Sequence, residues 1–124
     1  MKVRGVRGAI TAHDRSRAAV LDATTELLKR VIEANGIDPD DIAATMFTTS
    51  PDLTAEFPAV AARENLRWEH VPLMCGHEMA VPHGQERCIR ILLFWNTDRP
   101  QSEIKHIYLR EAANLRQRST SPPA

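Results

Sequence analysis

Within this 124-residue chain, the run Cys88-Ile89-Arg90-Ile91-Leu92-Leu93-Phe94-Trp95 most constrains the fold. Strand side chains alternate between faces, so Arg90 shares one face with Cys88, Leu92 and Phe94, while Ile89, Ile91, Leu93 and Trp95 line the other. Apolar residues on both sides predict a central strand with both faces buried. Taking an unpaired guanidinium out of water is costly, so Arg90 calls for an anion. That anion is either a carboxylate of the protein or one carried by a ligand, and the choice decides the functional reading.

A chain of this length suits one compact core. Lys plus Arg number 16 against 16 Asp plus Glu, a balance that argues against nucleic acid or a membrane surface as partner. Lysine occurs only at Lys2, Lys29 and Lys105. The arginine bias suits planar anions, and equally a genome rich in arginine codons. Met1-Lys2-Val3-Arg4 leads straight into a strand pattern without the apolar run of a signal peptide, and no stretch reaches membrane-span length, so the chain reads as cytoplasmic. Cys75 and Cys88 lie in apolar, strand-like segments and read as reduced thiols.

Periodicity and punctuation set the element order. Val3 to Thr11 forms a first strand, where Gly5 and Gly8 mark either a bulge or a close approach to the backbone. From Ser16 to Asn35, Val20, Thr24, Leu27, Leu28 and Val31 recur at helical spacing, and Gly36 supplies the stop. Asp38-Pro39-Asp40-Asp41 is a short turn, Ala44 to Thr49 a strand, and Phe57-Pro58 opens a short helix through Asn65. Val71 to Cys75 is a third strand and Arg87 to Trp95 the central one. Ile104 to Leu109 is a last strand before a turn at 110–115. The order predicts an α+β (mixed α/β) fold: a single small domain, residues 1–116, with a four- to five-stranded mixed sheet covered on one face by helices. A mobile tail is expected at 117–124. Two helices cover one face only, so the other apolar face is expected to meet a further copy of the chain.

His70, Cys75, His77, Glu78 and His83 crowd one region, but no Cys-x-x-Cys or His-x-x-x-His spacing completes a metal site. Ser50 with Asp52, or Cys75 with His77, lacks the local signature of an activated nucleophile. Gly5-Val6-Arg7-Gly8 is not a phosphate loop. Arginines form the better candidate: Arg7, Arg63, Arg90 and Arg116 lie on or beside apolar elements, whereas Arg15, Arg17, Arg30 and Arg99 fall on polar faces or loops. Glu78 is available to this set as an internal counter-ion. Several cations against one acid imply a ligand with more than one negative charge.

In order along the chain, Val3-Arg4-Gly5-Val6-Arg7-Gly8-Ala9, Pro51-Asp52-Leu53, Phe57-Pro58-Ala59, Val71-Pro72, Glu78-Met79, Cys88-Ile89-Arg90, Thr97-Asp98, Pro100-Gln101, His106-Ile107-Tyr108-Leu109 and Leu115-Arg116 resemble the AroH-class chorismate mutases. They do not resemble the all-helical ones. The resemblance implies a homotrimer forming a pseudo-α/β-barrel, with active sites between subunits and no cofactor or metal. The implied substrate is chorismate, rearranged to prephenate on the route to phenylalanine and tyrosine. It further implies Arg90 at the ether oxygen, Arg7 on a carboxylate at the same side, Tyr108 donating to a carboxylate, and Glu78 accepting the ring hydroxyl. Cys75 would add to the polar lining, Phe57 and Leu73 would form walls, Met74 would also contact substrate, and Arg63 and Arg116 would close the cleft or steer the dianion. Val60, Met74 and Gln117 depart from the family pattern, which bears on the rim and on a tail expected to close over bound ligand. Two rival readings remain open here: a trimeric imine deaminase of RidA type, whose motifs are absent, and a non-catalytic small-carboxylate binder.

Overall fold

In the computed structural model of the chain, residues 1–115 are described; Arg116 and the tail expected at 117–124 lie outside them. Helix α1 (Arg17–Asn35) is fixed at both ends by its sequence. The Ala19 N–H donates to Ser16 Oγ at 3.1 Å, satisfying one free donor of the first turn. Gly36 adopts φ 69°, a left-handed conformation that glycine enters without strain, and its N–H donates to Ile32 O at 2.8 Å. Between these stops, Val20, Thr24, Leu27, Leu28 and Val31 are buried in one stripe.

That stripe lies on a five-stranded mixed sheet of order β3-β2-β4-β1-β5. The strands are β1 (Lys2–Thr11), β2 (Ile42–Thr49), β3 (Leu73–His77), β4 (Cys88–Thr97) and β5 (Ile107–Tyr108). Central β4 pairs antiparallel with β1 and β2, and β3 and β5 add as parallel edges. A second, short helix, α2 (Ala59–Glu64), packs beside α1. The core between helices and sheet contains Val6, Ile10, Phe47, Ile89, Ile91, Leu93 and Trp95. No helix among the described residues is long and apolar enough to cross a membrane.

The expectation that β4 is buried on both faces holds on one. Ile89, Ile91, Leu93 and Trp95 are buried under the helices, whereas Arg90 and Leu92 on the opposite face are exposed within the single chain. Among the described residues, cover is confined to the end of that face: Ala9 and Cys88 are buried beneath Tyr108, Ala112 and Leu115. The remainder carries exposed Met46, Met74 and Leu92.

Two strand boundaries also differ from expectation. The third strand runs from Leu73 to His77 rather than from Val71, because Pro72 has no N–H to give a ladder. The last strand shrinks to Ile107–Tyr108 because side chains take over the preceding backbone. The Lys105 N–H donates to Asn35 Oδ1 at 2.8 Å while Asn35 Nδ2 donates to Lys105 O at 2.9 Å, and the Arg7 N–H donates to His106 Nδ1 at 2.9 Å.

No bulge falls at Gly5 or Gly8, since β1 and β4 pair without a break from Lys2 opposite Thr97 to Thr11 opposite Cys88. The irregularity is instead in β2, between Ile42 and Ala44. Gly8 is a close approach: a Cβ there would sit 3.1 Å from both Ile91 Cγ1 and Leu27 Cδ1 and 3.3 Å from Ile107 O. A backbone carbonyl cannot swing aside, so Gly8→Ala is expected to cost about 1–3 kcal/mol of stability, as overpacking does. Urea unfolding of the variant beside the parent chain measures it.

Candidate active site

Strand register builds the site. One line of paired residues crosses the whole sheet, from Gly76 through Thr48, Arg90 and Ala9 to Tyr108. The next line runs from Met74 through Met46 and Leu92 to Arg7. Directly opposed and diagonal neighbours on one sheet face lie within reach of long side chains. Arg90, Tyr108 and Arg7 are therefore gathered by pairing alone, and small Ala9 leaves room between them.

Glu78 arrives from the end of β3. Its N–H donates to Thr49 O at 2.8 Å, which turns the chain so that its carboxylate returns over the Thr48–Arg90 pair. There Oε2 accepts a hydrogen bond from the Thr48 hydroxyl and lies 4.0 Å from Arg90 Nε. These two side chains remain 45% and 37% exposed, so the ion pair is long and hydrated and contributes little to stability. Arg90 thus has a carboxylate near it without being neutralised by it, which departs from the sealed ion pair a buried arginine requires. The guanidinium of Arg7 is in no ion pair among the described residues. Two cations and one anion face a common hollow of about 280 Å³, lined by Arg7, Thr48, Glu78, Arg90, Leu92 and Tyr108. The excess positive charge suits a polyanionic ligand.

A neighbouring hollow of about 390 Å³ shares Glu78 and Arg90 and extends under the 79–86 loop to Asp52 and Cys88. A third, of about 430 Å³, lies across β3 and contains Phe57 and Cys75. Arg63, at the last turn of α2, does not line this third hollow, but its charge lies near two residues that do, Cys75 and Glu56. The predicted residues therefore form two groups within one chain. Arg7, Glu78, Arg90 and Tyr108 are one; Phe57, Arg63 and Cys75 are the other. Leu73 is half-buried on β3, Met74 is exposed on the open face, and Arg116 lies outside the described residues. Val60 is buried with Leu21 and Ala61 in the single chain. Among the described residues no group of three or more His, Cys, Asp or Glu is placed to hold a metal ion. Burial pushes the Cys75 and Cys88 thiols up, so neither is an activated nucleophile at neutral pH.

Sequence reasoning missed Thr48, whose β-branched side chain reads as ordinary strand material. It also missed the arginines that hold the site's edge. Arg87 and Arg110 both adopt positive φ, 50° and 55°. Arg110 Nη1 donates to Thr11 O at 2.8 Å, and Arg87 Nη2 lies 3.4 Å from Glu111 Oε2. Together they clasp the segment after Tyr108 onto β1.

The family described as "Chorismate mutase type I" matches residues 3–119 of the chain. A relative named chorismate mutase AroH from Thermus thermophilus is 49% identical over 115 residues, covering 92% of this chain and 93% of its own length. One of the same name from Bacillus subtilis (strain 168) is 40% identical over 116 residues, covering 94% and 91%. A solved structure, a chorismate mutase from Clostridium thermocellum, superposes with a TM-score of 0.86 at 43% identity, over 89% of this chain and 97% of that one. The chain belongs to the type I chorismate mutases, a family of isomerases.

Asp52 at the base of the second hollow gives a test of how the site's loops are held. Burial raises its carboxyl, but hydrogen bonds from Ser50, the Arg87 N–H and Arg15 prevail and hold it below the ordinary 3.8. A depressed carboxylate contributes stability that is present above its unfolded value and lost as pH falls through the folded one. Asp52→Asn is therefore expected to lower Tm at neutral pH and to flatten the fall in Tm below about pH 4. Melting curves of both proteins between neutral pH and pH 2 decide it.

Proposed function

We propose that the chain rearranges chorismate to prephenate on the Arg90 face of its sheet, as one subunit of a homotrimer in the cytoplasm. The observation that carries this reading is the set Arg7, Arg90, Tyr108 and Glu78 around one hollow, matching in charge a substrate with two carboxylates, an ether oxygen and a hydroxyl. The reaction is an intramolecular Claisen rearrangement. The ether C–O bond breaks as the new C–C bond forms, and breaking runs ahead, so negative charge grows on the ether oxygen. A guanidinium fixed beside that oxygen binds the transition state more tightly than the substrate. Arg90 fills this role because it projects from a strand paired on both sides. Arg7 and Tyr108 hold carboxylate, and Glu78 accepts the ring hydroxyl. No proton changes hands; the rate comes from holding the compact conformer and from charges already in place.

The second group completes the site from the neighbouring subunit. Phe57 supplies a wall with Leu73, Cys75 adds to the lining and Arg63 to the rim; Met74 also borders the substrate, and Arg116 closes the cleft or steers the dianion. The open face supports assembly: Met46, Met74 and Leu92 form an apolar surface that a further copy would cover, and Phe57 is 65% exposed in the single chain. Both cysteines are free thiols, as suits a reducing compartment. An imine deaminase or passive carboxylate binder has no such support, and relatives by name are chorismate mutases.

Purified protein is expected to deplete chorismate, followed by its absorbance, with prephenate as product; an unchanged absorbance overturns the reading. Arg90→Lys keeps the charge but loses the fork, and kcat is expected to fall by about 10²–10³, the loss typical of one preorganised donor. Turnover near that of the parent would remove Arg90 from its role. Light scattering is expected to return three times the 13.9 kDa chain mass, and a monomer at micromolar concentration would exclude the shared site.

A further inference from the structure

Thr48 faces Arg90 across the β2–β4 ladder and donates its hydroxyl to Glu78 Oε2, while Arg90 Nε stays 4.0 Å from the same oxygen. That distance is too long for a hydrogen bond and short enough for the two charges to attract, weakly while water screens them. Glu78 hangs from the end of β3 by a backbone hydrogen bond to Thr49 O, which leaves the direction of its carboxylate to the side chains around it. A closed, bidentate Arg90–Glu78 pair is the arrangement such groups ordinarily prefer. It would occupy the very donors that a ligand oxygen needs.

We propose that Thr48 is a positioning residue of this site: its hydroxyl ties Glu78 Oε2 to β2, keeps the carboxylate from closing on Arg90, and turns Oε1 toward the ligand. The inference rests on the function proposed above and deepens it. Among the described residues Oε1 takes no hydrogen bond, so it stands available as the acceptor of a ligand hydroxyl. A β-branched residue is suited to the task. Its χ1 is restricted on a strand, so the hydroxyl direction is set before any ligand arrives. Its ladder neighbours offer no substitute: Gly76 on the other side of Thr48 has no side chain, and Ala9 beyond Arg90 has no side-chain donor.

Thr48→Val keeps shape and branching and removes only the donor. It is expected to lower kcat/KM for chorismate about tenfold or more, the effect of losing a hydrogen bond to a charged group, with most of the loss in kcat because Arg90 becomes occupied. Thr48→Ser retains the hydroxyl and is expected within about threefold of the parent, the difference between them being χ1 freedom. The decisive measurement is the cycle with Glu78→Gln. A neutral amide cannot form the competing ion pair, so adding Thr48→Val in that background is expected to change turnover less than about twofold. Equal losses in both backgrounds, or a Thr48→Val enzyme as active as the parent, overturn the positioning role. A lower Tm without the kinetic loss also overturns it, showing a purely structural residue. Absence of chorismate turnover in the parent chain itself is a separate result, which sinks the proposed reaction and this role with it.

Discussion

The antiparallel pairing of β4 with a strand on each side, in unbroken register through Arg90, is what the rest of the site depends on. Side chains on a strand alternate, so a slip of one residue would exchange the faces completely. Arg90 would then enter the core beneath α1, and Ile89 and Ile91 would face outward. Burying Ile89, Ile91, Leu93 and Trp95 under the helices forbids that slip. Residues that never approach a ligand thus aim the guanidinium. Each large aliphatic side chain fully buried contributes about 1.5–3 kcal/mol, which makes the register far stronger than the hydrated Arg90–Glu78 contact it positions.

The same register determines what surrounds Arg90. Ala9 on one side and Thr48 on the other are fixed by the ladder, and Tyr108 follows from its pairing with Ala9. Edge strand β5 is too short to hold Tyr108 by itself. Asn35 takes both backbone groups of Lys105, His106 accepts from the Arg7 N–H, and Leu109 donates to Ala9 O at 2.9 Å. Arg110 and Arg87 then close the segment from the other end. A segment of little ladder structure is held by the Asn35 side chain of α1, the backbone of β1 and Arg87 just ahead of β4, so Tyr108 does not depend on its short strand alone.

Much of this was legible in the residues. Ser16, the apolar stripe and Gly36 located α1 because caps and periodicity are local properties. The apolar run located β4 as the central strand for the same reason. The short extent of β5 was not legible, because it turns on Asn35 and His106 displacing a ladder, contacts made between residues far apart in the chain. Arg7, Glu78 and Arg90 were singled out by charge set against an apolar background, and Tyr108 by the resemblance alone. Their meeting at one hollow depends on strand order β4-β1-β5, which no single segment encodes. Thr48 left no signal, since a threonine on a strand is unremarkable until its partner Glu78 is seen to fold back over it.

Exposure of Arg90 in the single chain links the proposed assembly to the proposed role of this residue. A unit charge acting over 4 Å is worth about 1 kcal/mol in bulk water and about 4 kcal/mol at an effective dielectric of about 20, the regime of a partly enclosed site. At 45% exposure Arg90 stands closer to the first limit, and a guanidinium there would distinguish a transition state from its substrate only weakly. Covering Met46, Met74 and Leu92 by another subunit removes apolar surface from water and in the same step drains the space beside Arg90. The hydrophobic term that drives assembly in the proposed trimer is therefore the term that raises the strength of the catalytic charge. On this account a variant that weakens the apolar face loses rate before it loses fold, because the sheet and α1 form a complete core without that face, and the electrostatics do not.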